Sequence, residues 1–416
     1  MPSTDLEIQS KGELASYLQR RMYSTYTDLR DKSEYERDRH PVKTYIIEFS
    51  PGDQLSLEQI NESLIERIFT FQSGRGKNIS RTRPAVERTR DNSLFKVWWS
   101  YKTQSKPEGE IIEAYFDVEP DTGEKRFWVI DSVAKADKLE RIIEKVTKQS
   151  NDLDRIWLWP EFLNDIKRKG RFRSIDLGYD YREFEKEESE AEEINNEELE
   201  KYLKITVRGG NNEISDALAE ILDTELLGRK VVPSKVGIRY EGRDGSASGN
   251  SEFFALEDVK YDGKILVKGT SANLHKELVS EIRRRYSGKV REIEEKYTIR
   301  LEGEDNKIQN VLGEPLYFDF QEKPIEDLHN FCNVVFSGNE PFSLWGVPTE
   351  IDDGLLVYAV DLKTGSKMNF QIYRDIITLS LEPNACGNSV VRFFTNVQQN
   401  FSCRVTAEDS DGNPIF

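Results

Sequence analysis

The chain has 416 residues, a net charge of -17, 32% charged residues and 37% hydrophobic residues. This balance excludes a disordered polyelectrolyte and a chain that coats nucleic acid over its whole surface, and the length suggests roughly two to four domains. Three cysteines (332, 386, 403) and three histidines (40, 275, 329) without CxxC or HxxxH spacing argue against a disulfide framework, a zinc site or a bound cofactor. The sequence therefore predicts a cytoplasmic protein without a metal site of the zinc or histidine-ligated kind, leaving oxygen-only magnesium or calcium sites open, and no run reaches the roughly 20 apolar residues of a membrane span.

In chain order, Leu14, Leu18 and Met22 share one face of a predicted helix, and a charge-dense stretch over 31–40 follows. A strand over 45–49 leads to a helix with Ser56 as cap and Ile60, Leu64, Ile65 and Ile68 on one face. The segment 71–93, with its Arg, Gly and Pro content, reads as a mobile basic loop. Strands over 95–101, 111–118 and 125–130 come next, then a helix bearing Leu139, Ile142, Ile143 and Val146, and a short strand over 156–159. Between 183 and 200, ten of eighteen residues are Glu, so this run reads as a solvated helix or linker.

Beyond it, strands are predicted over 203–207, 236–240, 253–259 and 265–267, with helices carrying Ile214, Leu218, Ile221 and Leu222, and then Leu274, Leu278, Ile282 and Tyr286. A closing strand covers 297–301, and 242–251 is a Gly/Ser loop. The remainder reads as strand 316–320, a helix with Ile325, Leu328, Cys332 and Val335, strands 342–347, 355–361, 368–373 and 376–381, a helix with Val390, Phe393, Phe394 and Val397, and strand 403–406.

Three tight hairpins recur at equivalent places: Asp121-Thr122-Gly123, Asp262-Gly263-Lys264 and Lys363-Thr364-Gly365. The predicted fold class is therefore α+β, with three tandem modules of similar β-α-β-β-β-α-β order. Each would be an antiparallel or mixed sheet with two helices on one face. The expected domains are a helical arm (1–42), module one (43–165, with the basic loop 71–93), a basic then acidic connector (166–200), module two (201–302) and module three (303–416).

No residue cluster has the form of an active site, so the expectation leans away from an enzyme. If Phe95, Val97, Trp99 and Tyr101 face the helices of module one, Lys96, Trp98, Ser100 and Lys102 face away. The matching outward set is Glu113, Tyr115 and Asp117, then Arg126 and Trp128. Trp98, Tyr115 and Trp128 could stack on bases while Lys96, Lys102 and Arg126, extended by Arg75, Lys77, Arg81, Arg83, Arg88 and Arg90, neutralise phosphates. Glu113 and Asp117 on the same face oppose this, and packing against a neighbouring domain competes with it.

Other chemistries have weaker support. Acid-x-Lys pairs at Asp262/Lys264 and Asp361/Lys363 suit a magnesium nuclease, yet Asp-Gly is already accounted for by its turn. Cys386 before a helix, with His329 in the same module, is the one conceivable nucleophile pair. Phosphate-cradling glycine loops are absent, and Arg283-Arg284-Arg285 reads as a solvated face. The expectation is a noncatalytic cytosolic binding protein, a subunit of a larger assembly, that engages nucleic acid through module one. The alternatives are a protein-protein scaffold or adaptor without nucleic acid, and a metal-dependent nuclease.

Overall fold

The computed structural model describes residues 8–30, 42–73, 80–103, 106–180, 202–209, 231–241, 253–302, 310–320, 324–336, 341–400 and 404–416. The helices are α1 (Lys11–Arg30), α2 (Glu62–Ile68), α3 (Ala136–Gln149), α4 (Pro160–Arg168), α5 (Ala272–Tyr297), α6 (Leu328–Val335) and α7 (Gly387–Asn400). The strands up to the glutamate run are β1 (Val42–Phe49), β2 (Phe71–Ser73), β3 (Ser80–Thr82), β4 (Pro84–Arg88), β5 (Leu94–Thr103), β6 (Lys106–Asp117), β7 (Phe127–Ser132), β8 (Leu153–Arg155) and β9 (Arg171–Asp180). After it come β10 (Tyr202–Arg208), β11 (Val231–Glu241), β12 (Phe254–Lys260), β13 (Lys264–Gly269), β14 (Arg300–Glu302), β15 (Asn310–Leu312) and β16 (Leu316–Asp319). The last are β17 (Phe342–Leu344), β18 (Thr349–Ile351), β19 (Gly354–Asp361), β20 (Lys367–Ile372), β21 (Ile376–Leu381) and β22 (Thr406–Glu408).

The class is α+β, as the element pattern predicts. The helical arrays at 214–222, the Gly/Ser loop and the glutamate run lie outside the described residues. Segment 71–93 differs from expectation, because its described parts form β2, β3 and β4, and β4 pairs with β5 through Val86↔Val97. The alternation Pro84, Val86, Arg88 lays the less exposed side chains on one face, a strand signal that the arginines obscured. The stretch 166–180, expected as connector, is the end of α4 followed by β9.

The chain divides into two compact units, Met1–Ile156 with Arg239–Ser287 and Trp157–Ile238 with Gly288–Phe416. The expected three-module repeat is not confirmed. Strands of modules one and two share a sheet, since β1 pairs antiparallel with β13 through Val42↔Val267 and Tyr45↔Lys264. In the first unit the strand order is β12-β13-β1-β7-β6-β5-β4, with β8 on the far half of β1. One face buries Tyr45, Ile47, Phe49, Trp99, Phe116 and Trp128 beneath Ile65 of α2 and Leu139, Ile142 and Val146 of α3. The other receives Leu14, Leu18 and Met22 of α1 against Val42, Tyr115 and Val267, so the N-terminal arm is a lid on the sheet.

In the second unit the order β17-β19-β20-β21-β16-β22 carries α6 and α7 on one face. Phe393 of α7 packs on Phe318, Phe370 and Phe342 at ring distances of 5.1, 4.9 and 5.8 Å. Opposite these helices, Leu356 and Val360 of β19 are half-buried and Tyr358 is exposed.

The hairpin glycines Gly123, Gly263 and Gly365 have φ of +84°, +77° and +70°, which the turns require. At Gly263 space adds to the demand, because a Cβ would lie 2.4 Å from Ile156. Each hairpin also carries an aspartate joined to an arginine remote in sequence: Asp121 to Arg283, Asp262 to Arg155 at 2.6 Å, and Asp361 to Arg392.

Candidate functional site

On β5 the alternation holds, with Phe95, Val97 and Trp99 buried, Lys96 and Trp98 half-buried and Ser100 exposed. The register Lys96↔Tyr115 and Trp98↔Glu113 places those four on one face. Glu113 accepts hydrogen bonds from Lys96 Nζ at 3.1 Å and from the Tyr115 hydroxyl at 2.5 Å. Tyr115 itself is covered by α1, with the Tyr17 ring 6.3 Å away.

The expected positions of Arg126 and Trp128 require correction. The register Tyr115↔Asp131 and Phe116↔Ile130 assigns Trp128 to the core face, one residue out of step with the expected set. Trp128 is fully buried, its ring 4.7 Å from Phe49, and its Nε1 donates to Lys125 O at 2.8 Å. Arg126 is buried and paired with Glu48 through Nε and Nη2 at 2.7 and 2.6 Å. Every residue of β7 is buried, so alternation carries no signal there.

Of the expected phosphate-binding cations, Arg75, Lys77 and the Lys102 side chain lie outside the described residues. Arg88 donates to Ile60 O at 2.7 Å, and Arg83 lies 3.5 Å from Glu66. Arg81 and Arg90 are exposed. Among the described residues, the expected stacking-and-phosphate surface keeps Trp98, Lys96 and edge arginines, with Glu87 facing Lys96 across the strands.

Among the described residues, a more exposed apolar surface lies on the sheet face of the second unit turned away from α6 and α7. Residues Leu355, Val357, Ala359 and Asp361 of β19 point to α6 and α7, which leaves Leu356, Tyr358 and Val360 on the other side. The chain continues past β17 so that Trp345 N donates to Tyr358 O at 2.7 Å, and the pairs Tyr358↔Asn369, Val360↔Lys367 and Leu356↔Gln371 complete the face. Trp345 is 62% exposed, Val347 85%, and Tyr358 and Leu362 43% each. Lys367 Nζ lies 5.2 Å over the Trp345 ring, a cation–π contact that holds the indole upright without covering it. Trp345 falls within the expected strand 342–347, but a single aromatic residue there carries no local signal that sets it apart. The pattern Trp345, Tyr358 and Lys367 becomes a patch only through β17–β19–β20 pairing.

The first unit also contains a buried polar chain. Glu257 and His275 Nδ1 are 3.0 Å apart, His275 Nε2 and Thr44 Oγ1 2.7 Å, and Thr44 Oγ1 donates to Asp131 at 2.5 Å. With its one proton given to Asp131, the Thr44 oxygen accepts from Nε2–H, so the imidazole carries both protons. Burial works against that charge, but Glu257 and Asp131 outweigh it and hold the His275 pKa above its ordinary value. The order acid, imidazole, hydroxyl resembles a nucleophile relay, but Thr44 is wholly buried, so the chain ties β1, β7, β12 and α5 together.

The expected chemical groups are likewise engaged. Asp262 pairs with Arg155 and Lys264 with Glu140, while Asp361 accepts from Lys363 N, Thr364 and Ser389 as well as Arg392. His329 Nε2 lies 3.7 Å from Glu350 Oε1, and burial pushes the Cys332 thiol up to about 11. Among the described residues, no group of three or more His, Cys, Asp or Glu is placed to hold a metal ion. No helix among them is long and apolar enough to cross a membrane.

Fold and surface together define a two-unit α+β protein in which, among the described residues, one face of the second unit's sheet exposes Trp345 and Tyr358. Residues 3–414 match the family described as MJECL33-like protein, and the chain belongs to that family. A relative from Methanocaldococcus jannaschii, named "Uncharacterized protein MJECL33", is 25% identical over 437 residues, covering 97% of this chain and 94% of the relative. No solved structure matches the chain.

Proposed function

We propose that this is a noncatalytic binding protein whose principal contact surface is the uncovered β17–β19–β20 face, and that a partner protein occupies it. Trp345, 62% exposed beside Tyr358, carries the reading. Clustered aromatic and aliphatic side chains in water are costly to leave bare, and Trp and Tyr dominate the energetics of protein interfaces. Leu356, Val360, Val347 and Leu362 surround them, and Asn369, Gln371 and Lys367 supply a polar margin, the arrangement of an interface centre with its rim. A net charge of -17 and a single lysine beside the two rings give phosphates little attraction.

The test is capture from nuclease-treated native extract by wild type and by the Trp345→Ala/Tyr358→Ala double variant. A protein held by the first and lost by the second supports the reading; retention of the same protein by both, or capture that disappears with nuclease, rejects it. Exposed Arg81 and Arg90 with Lys96 and Trp98 favour a second reading, nucleic acid on the first unit. Salt-dependent oligonucleotide binding that survives the Trp345 change and is lost on Arg81→Ala/Arg90→Ala would select it.

A further inference from the structure

The aromatic face of the second unit changes charge from one end of β19 to the other. At the start of the strand the turn residues Asp352 and Asp353 are exposed, and the neighbouring β20–β21 turn adds Arg374 and Asp375, three carboxylates against one guanidinium. At the far end Lys367 is exposed opposite Val360, with Lys363 in the turn and Glu382 just past β21, two ammonium groups against one carboxylate. Between these ends lie Leu356, Tyr358 and, hydrogen-bonded to Tyr358 through its backbone, Trp345. From Asp353 to Val360 the strand runs about 23 Å.

A strip that is acidic at one end, basic at the other and apolar between them is complementary to itself turned end for end. Two sheets stacked face to face lie about 10 Å apart, close enough for side chains at their ends to meet. A twofold axis along β19 would bring like charges together. An axis across the strands, near Leu356, sets the Asp352-Asp353 turn of each copy beside Lys367 of the other. The same rotation lays Trp345 and Tyr358 of one copy towards Ile351 of the other, which the pair Ile351↔Gly354 places on this face.

We infer that the partner on this face is a second copy of the same chain, with β19 antiparallel to its counterpart across the interface. The inference rests on the reading of Trp345 and Tyr358 as a protein contact and adds the identity of the partner. A net charge of -17 on each copy opposes association. In ~0.15 M salt the Debye length is about 8 Å, so charges on remote faces are screened while those brought into contact still act.

The test is sedimentation velocity of the full chain in ~0.15 M salt over a concentration series, in which wild type should reach twice the monomer mass. Trp345→Ala/Tyr358→Ala, Lys367→Glu and Asp352→Asn/Asp353→Lys should each weaken the dimer at least ~tenfold. Mixing the last two variants should restore a dimer. The introduced carboxylate then faces the introduced ammonium, and the native charges survive at the twofold-related contact. A dimer that withstands the Trp345→Ala/Tyr358→Ala change, charge variants that dimerise as wild type does, or a mixture that stays monomeric overturns the arrangement. A wild type monomeric at every concentration overturns it as well. If extract capture then yields a different protein that the Trp345→Ala/Tyr358→Ala variant loses, the contact surface stands and only the second copy is rejected; if it yields none, both readings fall.

Discussion

Trp128 and Trp98 lie on neighbouring parts of one sheet and should behave oppositely on truncation. Trp128→Ala removes a fully buried indole packed on Phe49 and Phe69 at 4.7 and 6.3 Å. Losses of this kind run to about 3–5 kcal/mol, and orphaning the Lys125 carbonyl adds about 1 kcal/mol. The sum, about 4–6 kcal/mol, rivals the whole stability of a typical domain, so the first unit should be largely unfolded in mild denaturant. Trp98→Ala removes a half-buried ring and a Lys96 contact at 6.0 Å, worth below about 1 kcal/mol. Because the chain has two compact units, one global midpoint is a poor measure. Hydrogen exchange of β1, β5 and β7 peptides against denaturant reports the opening free energy of the first unit alone. Equal costs for the two changes, or a near-neutral Trp128→Ala, would refute the face assignment and with it the register of β7.

Stability of the first unit should fall with rising pH through His275. Its folded pKa is raised above the unfolded 6.5, so its contribution is complete below about that pH and is lost as pH climbs through the folded value. Exchange-derived stability at pH 6 and pH 9 should show this drop in wild type and not in His275→Gln; that difference also isolates it from Lys43, whose depressed pKa acts with the opposite sign. Asp361→Asn should cost the second unit about 3–5 kcal/mol by leaving buried Arg392 uncompensated, whereas Asp361→Asn/Arg392→Met, which removes that charge and keeps an acceptor for Lys363 N, Thr364 and Ser389, should recover part of it. An additive double variant in denaturant melts would contradict the pairing. At pH 8 an alkylating reagent should modify half-buried Cys386 well before Cys332, whose thiol is held at about 11; peptide mass mapping decides the order.

Local elements were legible because their signals are local. The Leu14, Leu18, Met22 stripe, the α3 face and the glycines at positive φ all follow from helix period, strand period and backbone sterics within a few residues. The alternation of β5 was readable for the same reason, since one side is apolar and the other polar. The same reasoning misplaced Trp128, because β7 is covered on both sides and its side chains offer no contrast. It also passed over the grouping of Trp345 with Tyr358, which are joined only by strand pairing.

What the amino-acid order determined by itself was the strongly patterned helices, strands and turns, and that the class is α+β, while 71–88 and 160–180 took their structure from the strands and helices they pack on. Which strands became neighbours, above all β1 beside β13, was decided by the tertiary structure. Backbone hydrogen-bond edges are chemically alike along any strand, so partner choice is settled by which faces must be buried together, and that is a property of the whole chain.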